Sequence, residues 1–215
     1  MLIVEDHAAL GDALRLAVDL DTGLSCVGVA ATVAGALTMV AEQAPDVVLM
    51  DVRLPDGDGI EAAGRVKDLR PETAVIVLTA GADAGAPLRA AQAGGSGFLA
   101  KDTRLAGILD AVRRAAAGEP SVAPSALQGL LSAARNQGAP EPRVAGRELS
   151  AGERDLLALL AGGERLAAVA ARLGLTEDAG RERLAAATAA LGARSPLEAL
   201  VIAAGRGMLD PGRTD

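Results

Sequence analysis

Five short apolar runs constrain this chain more than any other feature: Leu2–Val4, Ser25–Ala30, Val47–Asp51, Ala74–Thr79 and Gly97–Ala100. They are rich in β-branched residues and apolar at successive positions, so each is read as a strand buried on both faces. Ala- and Leu-rich segments of helical length separate them through residue 118. Parallel strands need such crossovers, so the alternation predicts a parallel sheet wrapped by helices. The chain contains 49 Ala among its 215 residues, which favours helix in every crossover.

Five βα units in about 118 residues match an α/β flavodoxin-like, doubly wound (βα)5 domain. Residues 119–146 form a break punctuated by Pro120, Pro124, Pro140 and Pro142. They are expected to be a linker, with a short helix over Ala126–Gln137 and a flexible piece over 138–146. From residue 147 to 215 the pattern is helical. Ser150 followed by Glu153 fits a capping box, and Leu156, Leu157, Leu159 and Leu160 form an apolar stripe ended by Gly162-Gly163. A second helix stops at Gly174. Thr176 caps a third over about Glu177–Ala190, Gly192 ends it, and Ser195-Pro196 opens a fourth. Four short helices with a tight LGLT turn predict a small all-α helix-turn-helix domain.

Charge separates the two parts. Residues 1–118 carry 10 basic and 16 acidic groups, whereas residues 146–215 carry 9 and 10. One Phe and no Tyr or Trp exclude a module that reads nucleic acid by stacking bases on aromatic rings. A single cysteine, Cys26, excludes an internal disulfide and a multi-Cys zinc site, so a reducing cytoplasmic setting is expected. No apolar run reaches the length of a membrane span and no secretory leader is evident, so a soluble chain with no membrane partner is expected.

Chemistry-bearing side chains fall where the strands end. Glu5 and Asp6 follow the first strand, Asp51 closes the third, Thr79 ends the fourth and Lys101 follows the fifth. In a parallel sheet these ends meet along one edge, the usual ligand edge. Crowded carboxylates repel one another and suit a hard divalent cation such as Mg²⁺. A carboxylate beside such a cation, a hydroxyl and an ammonium can accept a phosphoryl group. With only two lysines against 19 arginines, Lys67 and Lys101 are both expected to be placed for a reason. His7, the single histidine, reads as a surface residue at a helix start. The glycines at 94, 95 and 97 do not have P-loop spacing and read as turn residues. No second catalytic constellation is present, so the chain is not expected to be an enzyme.

LIVED (2–6), VVLMDVRLPDGDGIE (47–61), VIVLTA (75–80) and GFLAKD (97–102) together resemble the receiver domain of bacterial response regulators. The resemblance covers residues 1–118 and implies phosphorylation of Asp51 by a sensor histidine kinase. It implies that Asp6, Asp51 and the Arg53 backbone carbonyl hold Mg²⁺, with Glu5 acting through water. Thr79 would bond a phosphoryl oxygen, Lys101 would pair with another, and Phe98 would be a switch residue that turns inward when Thr79 moves.

LSAGERDLLALLAGG, VAARLGLT and LGARSPLEAL resemble the LuxR-type DNA-binding domain over about Leu149–Met208. The two domains in this order resemble a NarL-type transcriptional response regulator, a homodimer when phosphorylated. The resemblance makes residues 177–190 the recognition helix entering the major groove. Where that family shows T-V-K-x-H, this chain has Ala179, Gly180, Arg181, Glu182 and Arg183. Gly180 in place of a buried Val is expected to cost about 1 kcal/mol of helix propensity and some packing. Later basic positions are Ala185, Ala186, Ala189 and Ala190, and a polar pair in the preceding helix is Leu166 and Ala167. Arg165, Arg172, Arg181, Arg183 and Arg194 remain as candidate DNA contacts. The alternative is a helical domain that no longer binds DNA and acts through dimerisation or a protein partner.

Overall fold

The computed structural model describes residues 1–81, 83, 85–138 and 147–209. The flexible piece expected over 138–146 lies, beyond Gly138, outside the described residues. The chain divides into two compact units, Met1–Ser121 and Val122–Asp215.

In the first unit β1 (Leu2–Val4) leads through α1 (Ala8–Asp19) to β2 (Gly28–Ala30) and through α2 (Val33–Gln43) to β3 (Val47–Asp51). A two-residue hairpin follows, β4 (Arg53–Leu54) and β5 (Gly57–Asp58), then α3 (Gly59–Leu69) and β6 (Ala74–Thr79). The unit closes with α4 (Ala86–Gln92), β7 (Gly97–Ala100), α5 (Leu105–Ala116) and the short β8 (Ser121–Val122) at its edge. The sheet order is β2-β1-β3-β6-β7-β8. The pairs β1–β2, β1–β3, β3–β6 and β6–β7 are parallel.

The period-2 alternation of the strands builds a core on each face. Leu2, Val4, Val48, Met50, Val75 and Val77 pack against α2, α3 and α4 through Val40, Ile60, Val66 and Ala90. Met1, Ile3, Leu49, Ile76 and Leu78 pack the other way against α1 and α5 through Leu14, Val18, Ile108 and Val112. The chain winds outward from β1 to β2, then reverses to β3, so β1 and β3 flank the topological switch point.

Three departures from the expected strands occur here, one of them β8, which falls where a linker is expected. The second strand begins at Gly28 rather than Ser25, although Val27 already donates its N–H to the Met1 carbonyl at 2.8 Å. The β4–β5 hairpin was not visible as strands, because LPDGDG carries turn residues at its centre.

The second unit holds five helices among its described residues: α6 (Pro124–Gln137), α7 (Ala151–Ala161), α8 (Leu166–Arg172), α9 (Glu177–Ala190) and α10 (Pro196–Gly205). The segment expected as a linker therefore carries a 14-residue helix that belongs to this unit. α6 buries Leu127, Leu130, Leu131 and Ala134, one helical stripe, and packs against α10. Gln128 also donates to the Ala161 carbonyl at 2.7 Å. Residues 197–204 of α10 are all buried, which fits a central helix.

Each helix start read from a Ser or Thr capping residue has its cap. Ser150 and Glu153 form a reciprocal capping box on α7, Thr176 Oγ1 accepts from Ala179 N–H at 3.2 Å, and Ser195 Oγ accepts from Glu198 N–H at 3.1 Å. No described helix is long and apolar enough to cross a membrane.

Gly180 behaves differently from the sequence expectation. A β-carbon there would stand 2.9 Å from the Ala170 β-carbon, closer than ordinary packing. The missing side chain is thus matched by a close approach of α8 to α9, and only the helix-propensity cost remains.

Candidate functional site

Glu5, Asp51, Thr79 and Lys101 meet at the C-terminal edge of the parallel sheet. Glu5 follows β1, and its own N–H is fixed to the Ala30 carbonyl at 2.9 Å. Asp51 and Thr79 are the last residues of β3 and β6, and all three side chains are buried. Lys101 follows β7, anchored by its N–H to the Thr79 carbonyl at 2.7 Å. Strand pairing therefore sets the spacing of these four groups, since each is bonded to a neighbouring strand or ends one.

Lys101 Nζ donates to Asp51 Oδ2 at 2.8 Å and to Glu5 Oε1 at 3.0 Å. Burial alone would lower the Lys101 pKa, but the hydrogen bonds and charges of Asp51 and Glu5 outweigh it and hold the ammonium above its ordinary value. Thr79 Oγ1 accepts from Gly81 N–H at 3.3 Å, so the hydroxyl hydrogen is not needed for that contact.

Asp6 is more exposed than Glu5 and Asp51, and His7 stands beside it. His7 Nδ1 lies 3.0 Å from both Glu5 Oε1 and Asp6 Oδ1. One ligand atom from each of Glu5, Asp6, His7 and Asp51 falls within 4.8 Å of the others. One ammonium cannot balance three carboxylates, and the buried Glu5 Oε2, although 2.8 Å from Lys101 Nζ, has no aligned hydrogen bond. Hard oxygen donors, excess negative charge and an unsatisfied buried oxygen fit a divalent cation.

The hairpin after Asp51 is pinned from three sides. Asp56 Oδ1 and Oδ2 accept from the Val33 and Ala34 N–H groups at 2.7 and 3.0 Å, which caps α2 from 23 and 22 residues away. These two amides, Ala34 first, hold the Asp56 carboxyl below its ordinary pKa. Asp58 caps α3 through Ile60 N–H at 2.6 Å. A β-carbon on Gly59 would stand 1.8 Å from the Asp51 carbonyl oxygen, so only glycine permits the backbone to pass there.

Arg53 opens β4, two residues past Asp51, with an exposed side chain. Phe98 is half-buried in β7, opposite Val77, and packs against the core beneath α2, α3 and α4. The structure thus brings Glu5, Asp6, Asp51 and Lys101 into one cluster. It adds His7, which the sequence reading had placed on the surface at a helix start. That placement holds, since His7 is the N-cap of α1 and its side chain is 75 % exposed. Lys67, the other lysine, is buried on α3 and donates to the carbonyls of Pro71 and, at 3.0 Å, Thr73. Its placement is structural.

In the second unit the five arginines are unequally placed. Arg165 is the exposed N-cap of α8. Arg172 pairs with Glu164. Arg181 pairs within its own helix, with Glu177 at 2.8 Å and Asp178 at 2.7 Å. The Arg183 guanidinium lies over Gly152, where an added β-carbon would be 3.0 Å from Nη1. Arg194 is mostly covered, 15 % exposed, with Nε 3.7 Å from the buried Glu198 carboxylate.

A family model described as the response regulator receiver domain matches residues 1–113. The chain belongs to the response regulator family. Similarity to other response regulators extends past that domain. The "Probable transcriptional regulatory protein NarL" of Mycobacterium tuberculosis is 31% identical over 173 residues, 80% of this chain and 78% of the relative. The "DNA-binding transcriptional activator DevR/DosR" of the same species is 32% identical over 177 residues, covering 82% and 81%. Among solved structures, a two-component response regulator of the LuxR family from Aurantimonas is 26% identical with a TM-score of 0.57. That match covers 61% of this chain and 94% of the other.

Proposed function

We propose that this response regulator controls transcription, switched by phosphorylation of Asp51 by a sensor histidine kinase. The observation that carries the reading is the buried Asp51 carboxylate held 2.8 Å from Lys101 Nζ at the switch-point edge of the sheet. In the reaction an Asp51 oxygen forms a bond to the phosphorus of a phosphohistidine. The P–N bond breaks, and the kinase imidazole leaves and takes up a proton. The product is an acyl phosphate on Asp51.

Glu5, Asp6, Asp51 and the Arg53 backbone carbonyl would hold Mg²⁺, with Glu5 acting through water. When bound, the cation offsets charge on the phosphoryl oxygens. Lys101 keeps its place and exchanges the Asp51 oxygen for a phosphoryl oxygen. The Thr79 hydroxyl turns to donate to another, and Phe98 follows it inward. These shifts bias the receiver toward a form that dimerises or frees the helical unit.

The helical unit is the output. α9 is its recognition helix, with Arg165, Arg172, Arg181 and Arg183 facing DNA and Arg194 contributing least because it is covered by Glu198. On this reading the protein acts on DNA in the cytoplasm, as a regulator and not as an enzyme. One observation favours a second reading, in which the unit has lost DNA and serves as a dimerisation or protein-binding module. Arg172 and Arg181 are already neutralised by Glu164, Glu177 and Asp178. Phosphate contacts dominate DNA affinity, so those pairs must open on binding.

Incubation with a small phosphodonor tests the phosphoacceptor. The native chain gains one phosphoryl group by mass and Asp51→Asn gains none while keeping its circular dichroism spectrum. Undiminished labelling of Asp51→Asn would overturn the assignment.

A further inference from the structure

We propose that His7 is a nitrogen ligand of the divalent site, and that it makes the site favour first-row transition-metal ions over Mg²⁺. The proposal rests on reading the Glu5, Asp6 and Asp51 cluster as that site. Three observations carry it.

The first is spacing. His7 Nδ1 is 3.0 Å from Glu5 Oε1 and 3.0 Å from Asp6 Oδ1, and all four candidate ligand atoms lie within 4.8 Å of one another. Two ligands at right angles on a six-coordinate ion with bonds of about 2.1 Å are themselves about 3.0 Å apart. The Nδ1–Oδ1 distance therefore matches one edge of such a shell. Carboxylates only accept hydrogen bonds, so Nδ1 directs its hydrogen at Glu5 Oε1, and an ion bound to Nδ1 would displace that hydrogen.

The second is the use of the cap position. His7 is the N-cap of α1, yet its side chain caps no backbone N–H. An N-cap Ser, Asp or Asn there would accept a hydrogen bond from a backbone N–H of the first turn. The imidazole is turned back to the acidic cluster instead.

The third is access. The His7 side chain is 75 % exposed while Glu5 is buried, so the ring stands at the mouth of the cluster and can adjust to an entering ion. An imidazole nitrogen is a poor ligand for Mg²⁺ and a good one for Mn²⁺, Ni²⁺ and their neighbours, which makes His7 a determinant of metal choice.

The chain has one histidine, so any metal–imidazole signal from tag-free protein belongs to His7. The test uses the full chain in a Cys26→Ser background, to remove the thiol as a competing ligand. Electron spin-echo spectroscopy with Mn²⁺ is expected to show ¹⁴N coupling, absent in His7→Asn. Calorimetry is expected to show Ni²⁺ affinity falling at least about tenfold in His7→Asn while Mg²⁺ affinity changes less than about twofold. Asn is a good N-cap, so this variant keeps α1. Equal Ni²⁺ affinity in the two proteins, or no ¹⁴N coupling in the native chain, would overturn the role of His7 and leave the acidic site standing. Ni²⁺ binding that survives intact in Asp51→Asn with Glu5→Gln would also overturn it, since the ring would then bind alone. Absence of any Mg²⁺ or Mn²⁺ binding would overturn the divalent site itself.

Discussion

Lys101 Nζ sits between Asp51 Oδ2 at 2.8 Å and Glu5 Oε1 at 3.0 Å, so two buried carboxylates share one ammonium. Lys101→Met leaves both without their cation. Removing one partner of a buried pair is costly, and roughly 2–3 kcal/mol of the first unit's stability is expected to go. Added Mg²⁺ recovers part of it. Thermal unfolding with and without Mg²⁺ checks this. A variant as stable as the native chain in chelator would contradict it.

Gly59 lets the start of α3 pass close to the Asp51 backbone. A β-carbon 1.8 Å from the Asp51 carbonyl and 3.1 Å from the Val52 α-carbon must push the backbone that carries the Asp51 carboxylate. Gly59→Ala is expected to lower stability by about 2–3 kcal/mol and to slow labelling of Asp51. Unchanged labelling kinetics would show that the backbone yields without moving the carboxylate.

Asp56 ties the hairpin after Asp51 to the start of α2. Asp56→Ala removes the acceptor for the Val33 and Ala34 amides. Those two amides are expected to lose protection in hydrogen exchange first, and the α3 start, capped by Asp58, is expected to keep its own. Equal loss along both helices would mean that the hairpin, and not the cap, is what the variant disturbs.

Much of this was legible in the sequence, and the limits have physical causes. The five main strands and the helix starts at Ser150, Thr176 and Ser195 follow from local signals, namely apolar runs and side-chain caps. The convergence of Glu5, Asp51, Thr79 and Lys101 follows from parallel topology alone. What escaped depends on contacts distant in sequence. The Asp56 cap spans 23 residues, and Lys67 is buried because the loop ending in Thr73 folds over it. The start of α6 was placed at Ala126, although Pro124 suits the first helical turn and is where the helix begins. Gly180 looked like a packing defect because the approach of Ala170 cannot be read from one helix.

The second unit carries its own pH dependence. Glu153 caps α7 through Ser150 and pairs with Arg147, which lowers its pKa to about 2. An unfolded Glu titrates near 4.5, so this pair stabilises the fold fully above that pH and ceases to do so as pH falls through about 2. Solvent around the exposed Arg147 screens the pair, so about 1 kcal/mol is at stake. Glu153→Gln is expected to be less stable at pH 7 and to lose less on acidification to pH 3 than the native chain. Parallel stability curves for the two proteins between pH 6 and pH 3 would contradict this.

A phosphorylation switch with DNA as its output has a direct test. The most direct measurement is binding of the full chain to a library of genomic fragments, with and without beryllofluoride, at two salt concentrations. Enrichment of a paired sequence motif is expected, stronger with beryllofluoride and weaker at high salt. No enrichment in any condition, from folded protein shown to bind beryllofluoride, would contradict it and assign the helical unit to a protein partner.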